Sequence, residues 1–366
     1  MEFSLSSEQQ ALQENVRRLL ATHSAARDMF TTDGPSSARD LWGRLNDAGL
    51  STLGLRLEEL DLESTAIEQM LVAEEIGRAA APSPFVGLAA ATSILARSSR
   101  TEAGQLLEQV LDGRIVVAAL PSAYGGTVAV KALGEGGDTT LHGEVLLVPG
   151  GAWADTVLVA AEANGSPAIY AVDVAATGCV VQPTPSIDPG AGLAKLGLDS
   201  AAATPVLETE AEDAIQHATI LAMLLTAAET TGVAHSALHL AADYARTRTQ
   251  FGHPIGSFQA VKHKLSDMVV AVENARSACY GAAWKLHDNE PDAALYVHMA
   301  KAVAAESGPH VAADALQLHG GIGCTFEHDI HLYLRRAKTG QLLYGDANEH
   351  LDHLASAFLE DGETTR

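Results

Sequence analysis

The hydrophobic period of this 366-residue chain changes twice, and no other feature constrains its fold as strongly. From Leu5 to about Val110, apolar residues recur at the spacing of amphipathic helices. Short β-branched runs, separated by Gly, Pro, Asp and Asn, fill the stretch from Ile115 to Leu207. The helical period then returns at Asp213. Helices on both sides of a block of strands predict an α+β multidomain fold and exclude an alternating βαβ fold.

The predicted domains follow these changes of period. We expect an N-terminal helical domain at residues 1–112, a middle antiparallel β-barrel or β-sandwich domain at 113–208, and a C-terminal four-helix bundle at 209–366. One N-terminal helix should end near Gly77, because two prolines follow this glycine. The bundle should use four stretches: Ala214–Arg246, Ala260–His287, Asp292–Leu318 and His331–Leu343.

The charge of the chain excludes two classes of partner. Asp and Glu number 46 and Lys and Arg 23, so the formal charge is −23. Phosphate backbones and anionic lipid surfaces would repel such a chain, and we expect neither nucleic acid nor membrane as a partner. The three cysteines lie far apart, and the N-terminal segment has no basic run followed by an apolar core. These features predict a cytoplasmic protein.

The run YARTRTQFGHPIGSFQAV is a candidate ligand-binding segment at a helix end. Arg248 lies in the last turn of a predicted helix, and Phe251 follows three residues later. A guanidinium beside an aromatic ring suits a diphosphate that carries a planar group. The same residues also fit a purely structural role, in which Arg248 satisfies helix carbonyls and Phe251 packs in the core.

The run QLHGGIGCTFEH is the second candidate segment. Gln317 ends a predicted helix, and Gly320, Gly321 and Gly323 follow it. Closely spaced glycines allow positive backbone torsions and let a ligand approach main-chain N–H groups. A simple turn between helices is the alternative. No glycine-rich phosphate loop stands between a strand and a helix, so a Rossmann or P-loop site is not expected.

Three histidines near this glycine run raise the question of a metal site. They are His319, His328 and His331. No Cys or carboxylate pair completes a convincing ligand set with them, so we expect no metal.

Together, the order of the helical and strand zones, the RTRTQFGHPIGSFQAV run and the QLHGGIG run resemble the acyl-CoA dehydrogenase family over essentially the whole chain. More narrowly, the chain resembles the actinobacterial heteromeric subunits of steroid side-chain β-oxidation. The resemblance implies FAD bound between the β-domain and the bundle and reaching a neighbouring subunit. Matching the family motifs residue by residue implies eight FAD-binding residues: Arg248, Gln250, Phe251, Gln259, Gln317, Gly320, Gly321 and Glu349.

The reaction implied by the resemblance is α,β-dehydrogenation of an acyl-CoA. A carboxylate removes the α-proton, and a hydride leaves Cβ for the flavin. An electron-transfer flavoprotein is the implied electron acceptor.

The chain departs from the family where the base should lie. The family's tyrosine–glutamate–glycine–threonine run reads LLYGDANEHL here, so the base position falls on Gly345, which has no side chain. Asp346 is the candidate replacement. Its alternative role is to cap the next helix, with Glu349 completing a capping box.

Other family positions also differ. Where some relatives carry a base on the first bundle helix, this chain has Ala222 and Met223, and Glu229 lies about two turns later. The segments expected to hold the flavin ring offer few side-chain donors, including Pro121, Ser122 and the Val148–Gly150 stretch. Of the adenine-end run, only Glu349 matches.

Four hypotheses follow. The first is a base-deficient subunit that completes FAD sites in an α2β2 heteromer. The second is a homo-oligomeric dehydrogenase that uses Asp346 or Glu229 as base. The third is a flavin-dependent oxygenase or oxidase on the same fold, and the fourth is an inert interaction protein.

Overall fold

The computed structural model describes residues 4–24, 26–30, 34–57, 62–63, 65–120, 130–134 and 138–364. The chain forms two compact units. The first unit contains Met1–Arg27, Met70–Ala81 and Met223–Arg366, and the second contains Asp28–Gln69 and Pro82–Ala222. The predicted domain limits at residues 112 and 208 stay predictions.

Helices dominate the first unit and also occur in the second. Across the described residues, the α-helices in chain order are α1 (Ser7–His23), α2 (Gly34–Asp47), α3 (Ala66–Arg78), α4 (Phe85–Leu95), α5 (Thr101–Leu111), α6 (Ala211–Thr247), α7 (Gln259–His287), α8 (Ala293–His319), α9 (Ile330–Leu342) and α10 (Ala347–Thr364). The helices α6 to α9 match the four predicted bundle stretches to within a few residues. Ser6 and Gln9 form a capping box at the start of α1, which satisfies N–H groups that the helix itself cannot.

Small residues let the bundle helices pack closely. The core of the first unit contains alanines of α6, α8 and α9 together with Met268 and Val272 of α7. Thr230 of α6 fills the space opposite two glycines: a Cβ on Gly308 would lie 2.4 Å from its Cγ2, and a Cβ on Gly340 would lie 2.2 Å from its Oγ1. Neither position has room for a side chain.

Gly77 lies in the last turn of α3, which ends at Arg78, one residue beyond the predicted end. A Cβ on Gly77 would lie 1.9 Å from the carbonyl oxygen of Glu229, and a Cβ on Gly232 would lie 2.0 Å from that of Glu74. These two glycines therefore bring the backbones of α3 and α6 together, which is a packing role rather than a helix stop.

The second unit contains a mixed β-sheet beside its helices. In chain order, the described strands are β1 (Arg56–Leu57), β2 (Leu62–Glu63), β3 (Val116–Ala119), β4 (Lys131–Leu133), β5 (Thr140–Val148), β6 (Thr156–Ala163), β7 (Ser166–Asp173), β8 (Cys179–Pro183), β9 (Ala194–Ala202) and β10 (Thr204–Leu207). The main sheet has the order β10-β7-β6-β4-β5-β9-β8, and β3 also pairs with β6.

The strand pairing is mostly antiparallel, as predicted, but β6 is an exception. It pairs with β7 in antiparallel fashion and with β3 and β4 in parallel. Parallel neighbours require a longer connection than a hairpin, and β3 reaches β6 only after β4 and β5 have intervened. The α+β fold class with helical N- and C-terminal parts and a middle sheet is confirmed.

Among the helices that the structure describes, we find none with an apolar stretch long enough to cross a membrane.

Candidate functional site

The Arg248 corner, which we define as residues 248–259, connects α6 to α7. A short antiparallel ribbon of β11 (Thr249–Gln250) and β12 (His253–Pro254) follows the end of α6. Phe251 has a φ of 54° and Gly252 a φ of 79°, which closes the ribbon tightly. The N–H of Ile255 donates to the carbonyl of Arg248 at 2.8 Å and holds the base of the corner. These backbone hydrogen bonds therefore hold the shape of the corner, which lies outside the bundle.

The side chains of the Arg248 corner face solvent. Phe251 is 90% exposed, and its ring meets only the edge of Phe258, with centroids 6.2 Å apart. Gln250 and Gln259 are exposed as well. Within the ranges that the structure describes, the guanidinium of Arg248 makes no hydrogen bond or ion pair. A free cation, amides and an uncovered aromatic ring are the groups that a diphosphate with a planar substituent requires.

The glycine corner, residues 317–323, ends α8. Gly320 has a φ of 63°, which favours glycine, and its N–H donates to the carbonyl of Gln317. A Cβ on Gly320 or Gly321 would meet nothing within 4 Å, whereas one on Gly323 would lie 2.8 Å from the carbonyl oxygen of Leu316. Gly323 is therefore needed for packing of the turn. Gly320 and Gly321 instead leave an open main-chain surface.

The two corners lie at the same end of the bundle. Tyr244, one turn before Arg248, stacks on His319 with ring centroids 4.5 Å apart and an angle of 27°. Nδ1 of His319 donates to the carbonyl of Ala315 at 2.7 Å, and burial lowers the pKa of this histidine. A neutral, stacked imidazole therefore joins α6 to α8 and places seven of the predicted FAD-binding residues in one region.

The turn from Tyr344 to Glu349 leads from α9 into α10 and has a different character. Tyr344 has a φ of 60° and Gly345 a φ of 100°. One carboxylate oxygen of Asp346 accepts the N–H groups of Asn348 at 2.9 Å and of Glu349 at 3.1 Å. Glu349 in turn accepts the N–H of Asp346 at 3.0 Å. This reciprocal arrangement is a capping box, so both carboxylates serve the helix N-terminus.

A buried lysine that was not predicted from the sequence donates a hydrogen bond to the backbone of this turn. Lys301 of α8 is fully buried, and its Nζ donates to the carbonyl oxygens of Gly345 at 2.6 Å and Gln341 at 3.3 Å. Burial lowers the pKa of Lys301 to about 8, although Asp346 and Glu349 act to raise it. Its neighbour His350 is also buried, and burial together with Lys301 lowers the pKa of that imidazole to about 4.

The predicted residues therefore form two separate groups rather than one. Lys301 and His319 lie 18 residues apart on α8, which corresponds to roughly 27 Å along the helix axis. Asp346 and Glu349 belong to the Lys301 end, while the Arg248 and glycine corners belong to the His319 end. Within one copy of the chain, Glu349 cannot act at the same point of a ligand as Arg248.

The second candidate base is not free either. Glu229 forms an ion pair with Arg336, whose guanidinium also donates to the carbonyl of Ala81 at 3.2 Å. The side chains of Glu229 and Arg336 are only 17% and 7% exposed. Ala222 and Met223 are buried and supply no acid.

Two further sequence predictions concern the segments near the flavin ring and a metal site. Pro121 and Ser122, which were considered as flavin-ring contacts, lie outside the described residues; Val148 is buried, and Gly150 forms a turn with a φ of 72°. Across the described residues, no group of three or more His, Cys, Asp or Glu side chains is arranged to hold a metal ion.

Comparisons with known proteins identify the family from two ends of the chain. Residues 6–114 match the model of the acyl-CoA dehydrogenase N-terminal domain, and residues 214–359 match that of the acyl-CoA dehydrogenase C-terminal domain. The resemblance stated from the sequence is thereby confirmed.

Whole-chain relatives agree with this assignment. Acyl-CoA dehydrogenase IpdE2 of Mycobacterium tuberculosis is 31% identical over 96% of this chain and 98% of its own length. Acyl-CoA dehydrogenase FadE34 of the same organism is 35% identical over 91% of this chain, but this chain spans only 45% of the length of FadE34.

Solved structures share the fold along nearly the whole chain. A variant of the Tcur3481–Tcur3483 steroid ACAD has a TM-score of 0.84 at 28% identity, covering 98% of this chain and 100% of that chain. The ChsE4–ChsE5 complex from Mycobacterium tuberculosis has a TM-score of 0.84 at 29% identity, covering 98% and 99%. Members of the matched family are FAD flavoproteins and oxidoreductases. The chain belongs to the acyl-CoA dehydrogenase family.

Proposed function

We propose that this chain is the base-deficient subunit of a heteromeric acyl-CoA dehydrogenase, in which it completes FAD sites whose flavin ring and catalytic base belong to a different chain. The observation that carries the proposal is an asymmetry between two groups of residues. Groups suited to a dinucleotide are exposed, and among the described residues the Arg248 guanidinium makes no hydrogen bond or ion pair. Each carboxylate considered as a base is instead engaged within the protein.

The exposed groups fit the diphosphate and adenosine portion of FAD. Arg248 supplies a cation without a protein partner in the described ranges, and Gln250 and Gln259 supply amides beside the Phe251 ring. Gln317 adds an amide at the same end of the bundle, where the backbone at Gly320 and Gly321 is open to the approach of a ligand. Charge-assisted and bidentate contacts of this kind are the strong ones in phosphate recognition. When bound, the flavin accepts the hydride that leaves Cβ of the acyl-CoA.

The engaged carboxylates argue that the base comes from elsewhere. A general base must reach the proton it removes at hydrogen-bond distance. Asp346 and Glu349 bond to each other's backbone, and Glu229 pairs with Arg336. Gly345 has no side chain at all. A partner chain that retains a carboxylate would supply this step.

The relatives support a heteromer and a bulky substrate. The names of two similar structures describe a complex of two chains, ChsE4 and ChsE5, and a steroid ACAD. Buried Ala222 on α6 would leave room beside an acyl group where a larger side chain would not. We therefore propose a steroid-type acyl-CoA as substrate and, from the family resemblance, an electron-transfer flavoprotein as electron acceptor.

The test is purification of the chain alone and together with the acyl-CoA dehydrogenase chain encoded beside it, followed by flavin and subunit quantitation. We expect less than one flavin per chain in the complex, dehydrogenase activity in the complex, and neither in the lone chain. Full flavin occupancy and dehydrogenase activity of the lone chain would overturn the proposal in favour of a homo-oligomer. Rapid oxidation of the reduced flavin by oxygen without dehydrogenation would instead support an oxidase.

A further inference from the structure

The last helix, α10, is held on the bundle by few buried side chains. Between residues 347 and 359, where the structure describes the side chains of this helix, only His350 and Leu354 are buried. Leu351 and Phe358 are large and apolar but face solvent, at 51% and 66% exposure. An element with few buried contacts opens more easily than the core of a protein. One of the two anchors of α10 is therefore a titratable group.

His350 meets a second histidine where α10 packs on α8. Its Nδ1 lies 2.8 Å from Nδ1 of His298, a half-buried residue of α8, and the ring centroids are 5.0 Å apart. A hydrogen bond between two ring nitrogens needs a proton on one of them and a lone pair on the other. Two imidazolium rings would instead direct N–H groups at each other. The contact therefore holds only while at least one of the two rings is neutral.

Further positive groups lie beside this pair. Lys301, three residues after His298 on α8, is fully buried and donates to the carbonyl oxygen of Gly345 at 2.6 Å. The ring of His353, about one turn after His350 on α10, has its centroid 4.8 Å from that of His298. A proton added to either member of the pair would therefore enter a junction that already contains a buried amine.

Two carboxylates oppose this positive charge. Oε2 of Glu349 and Nε2 of His350 both lie 3.0 Å from the point that a Cβ on Gly345 would occupy. Asp346 and Glu349 both attract Lys301, but each also accepts backbone N–H groups in the capping box. Protonation of both histidines would bring three cations together with two carboxylates that are already engaged.

Both histidines resist protonation while α10 is docked. Burial, followed by the nearby His353, lowers the pKa of His298 to about 4. Burial, followed by Lys301 and His298, lowers the pKa of His350 to about 4, although a backbone hydrogen bond to Tyr344 acts to raise it. An imidazole in water has a pKa of about 6.5. Between these two values the released helix binds more protons than the docked one, so a fall in pH favours release.

We propose that the His298–His350 pair is a pH-sensitive latch, which holds α10 on α8 at neutral pH and releases it in mild acid while the rest of the bundle stays folded. Release would also free the Tyr344–Glu349 turn from Lys301, because this turn leads directly into α10. The latch uses neither the FAD-binding corners nor a catalytic base, so it is independent of the proposed function.

The test is hydrogen exchange of the full-length chain, measured by mass spectrometry at pH 7 and pH 5 and corrected for the intrinsic pH dependence of exchange. Opening of α10 should increase at least about tenfold at pH 5, because both histidines take up protons on release. Peptides of α7 should keep their protection, which separates local release from global unfolding. Equal protection of α10 at both pH values, or loss of protection in α7 and α10 together, would overturn the proposal.

His298→Gln is the main variant, because its amide can still donate to His350 but does not titrate. It should remove a large part of the acid-induced opening, and His350→Gln, which changes the other partner, should do the same. His239→Gln is the matched control, because it removes an imidazole contact of similar length, 3.0 Å to His235, that lies within α6. The control should keep the acid response of the wild type. A full wild-type response in both His298→Gln and His350→Gln would show that this pair does not control α10.

Discussion

The Arg248 corner and the Tyr344–Glu349 turn lie on the same bundle but treat their polar groups in opposite ways. At the corner, Arg248 and the Phe251 ring project into solvent. The local hydrogen bonds are made by the backbone and by the Gln250 amide and the Ser257 hydroxyl, which donate to nearby carbonyl groups. At the turn, Asp346, Glu349 and the Gly345 carbonyl are all engaged by the capping box or by Lys301. An unengaged cation is available to a ligand, whereas an engaged carboxylate must first lose bonds that stabilise the fold.

In the proposed function, the exposed groups of the Arg248 corner bind the cofactor. The turn that the family resemblance assigns to the base serves there as a helix cap.

Lys301 should make the unfolding free energy of the protein increase as the pH rises above about 8. The pKa of Lys301 is about 8 in the folded protein, against an ordinary value of 10.5. Between these values the unfolded chain binds more protons than the folded one, so the contribution of Lys301 to stability rises with pH, by about 3 kcal/mol in total. We expect the unfolding free energy of the wild type to increase relative to Lys301→Met between pH 7 and pH 10, measured by urea denaturation.

Lys338→Met is the control for this experiment, because Lys338 is an exposed lysine of the adjacent helix and donates to the side chain of Gln341. Its effect on stability should not change over the same pH range. A constant difference between the wild type and Lys301→Met would show that burial does not lower the pKa of this amine in the folded protein.

Arg248→Met should weaken flavin binding by the heteromeric complex. Loss of charge-assisted hydrogen bonds to a diphosphate costs about 1.5–3 kcal/mol, which is roughly a 10- to 100-fold rise in Kd. The measurement is FAD affinity by flavin fluorescence. Arg246→Met is the matched control, since Arg246 lies two residues earlier, is exposed, and pairs with Asp243 at 2.8 Å. Equal losses in both variants would mean a general charge effect rather than a site.

The positions of the helices were predicted from the sequence more accurately than the pairing of strands and the packing of helices. Periodicity located the helices α6 to α9 to within a few residues, because each has a long apolar face. The parallel pairing of β6 with β3 was not predicted, because strand register depends on contacts far apart in sequence. Gly77 was interpreted as a helix end. Its close approach to the Glu229 carbonyl was not predicted, because this contact exists only after α3 and α6 pack together.

For the candidate site, local features were predictable and long-range ones were not. The capping role of Asp346 and Glu349 was among the predictions because the whole motif spans four residues. Lys301 was missed because a lysine in an alanine-rich helix usually extends to solvent, and its burial depends on α9 and α10. The Arg336 partner of Glu229 lies 107 residues away, a separation that no local pattern reveals.

A pair of glycine substitutions compares the two regions directly. Gly345 has a φ of 100°, and a Cβ there would lie 3.0 Å from both Glu349 Oε2 and His350 Nε2. Gly345→Ala should therefore lower the unfolding free energy by about 1–2 kcal/mol. Gly321→Ala, where a Cβ would meet nothing within 4 Å, should leave stability nearly unchanged. If FAD approaches that backbone, Gly321→Ala should lower flavin affinity instead. The reverse pattern would contradict the assignment of structural and binding roles.

The smallest expected effect decides whether Asp346 is a cap or a base. Asn caps a helix about as well as Asp, whereas Ala does not, so Asp346→Asn should change stability by only a few tenths of a kcal/mol and Asp346→Ala should cost about 1 kcal/mol. Both variants lack a carboxylate. If Asp346 only caps α10, the heteromeric complex should keep its dehydrogenase rate with either variant. If Asp346 is the base, both variants should lose about 100-fold or more of that rate, including the stable Asp346→Asn protein. Parallel measurement of urea unfolding and of turnover in the complex therefore separates the two roles, because only the base role makes activity fall without a matching loss of stability.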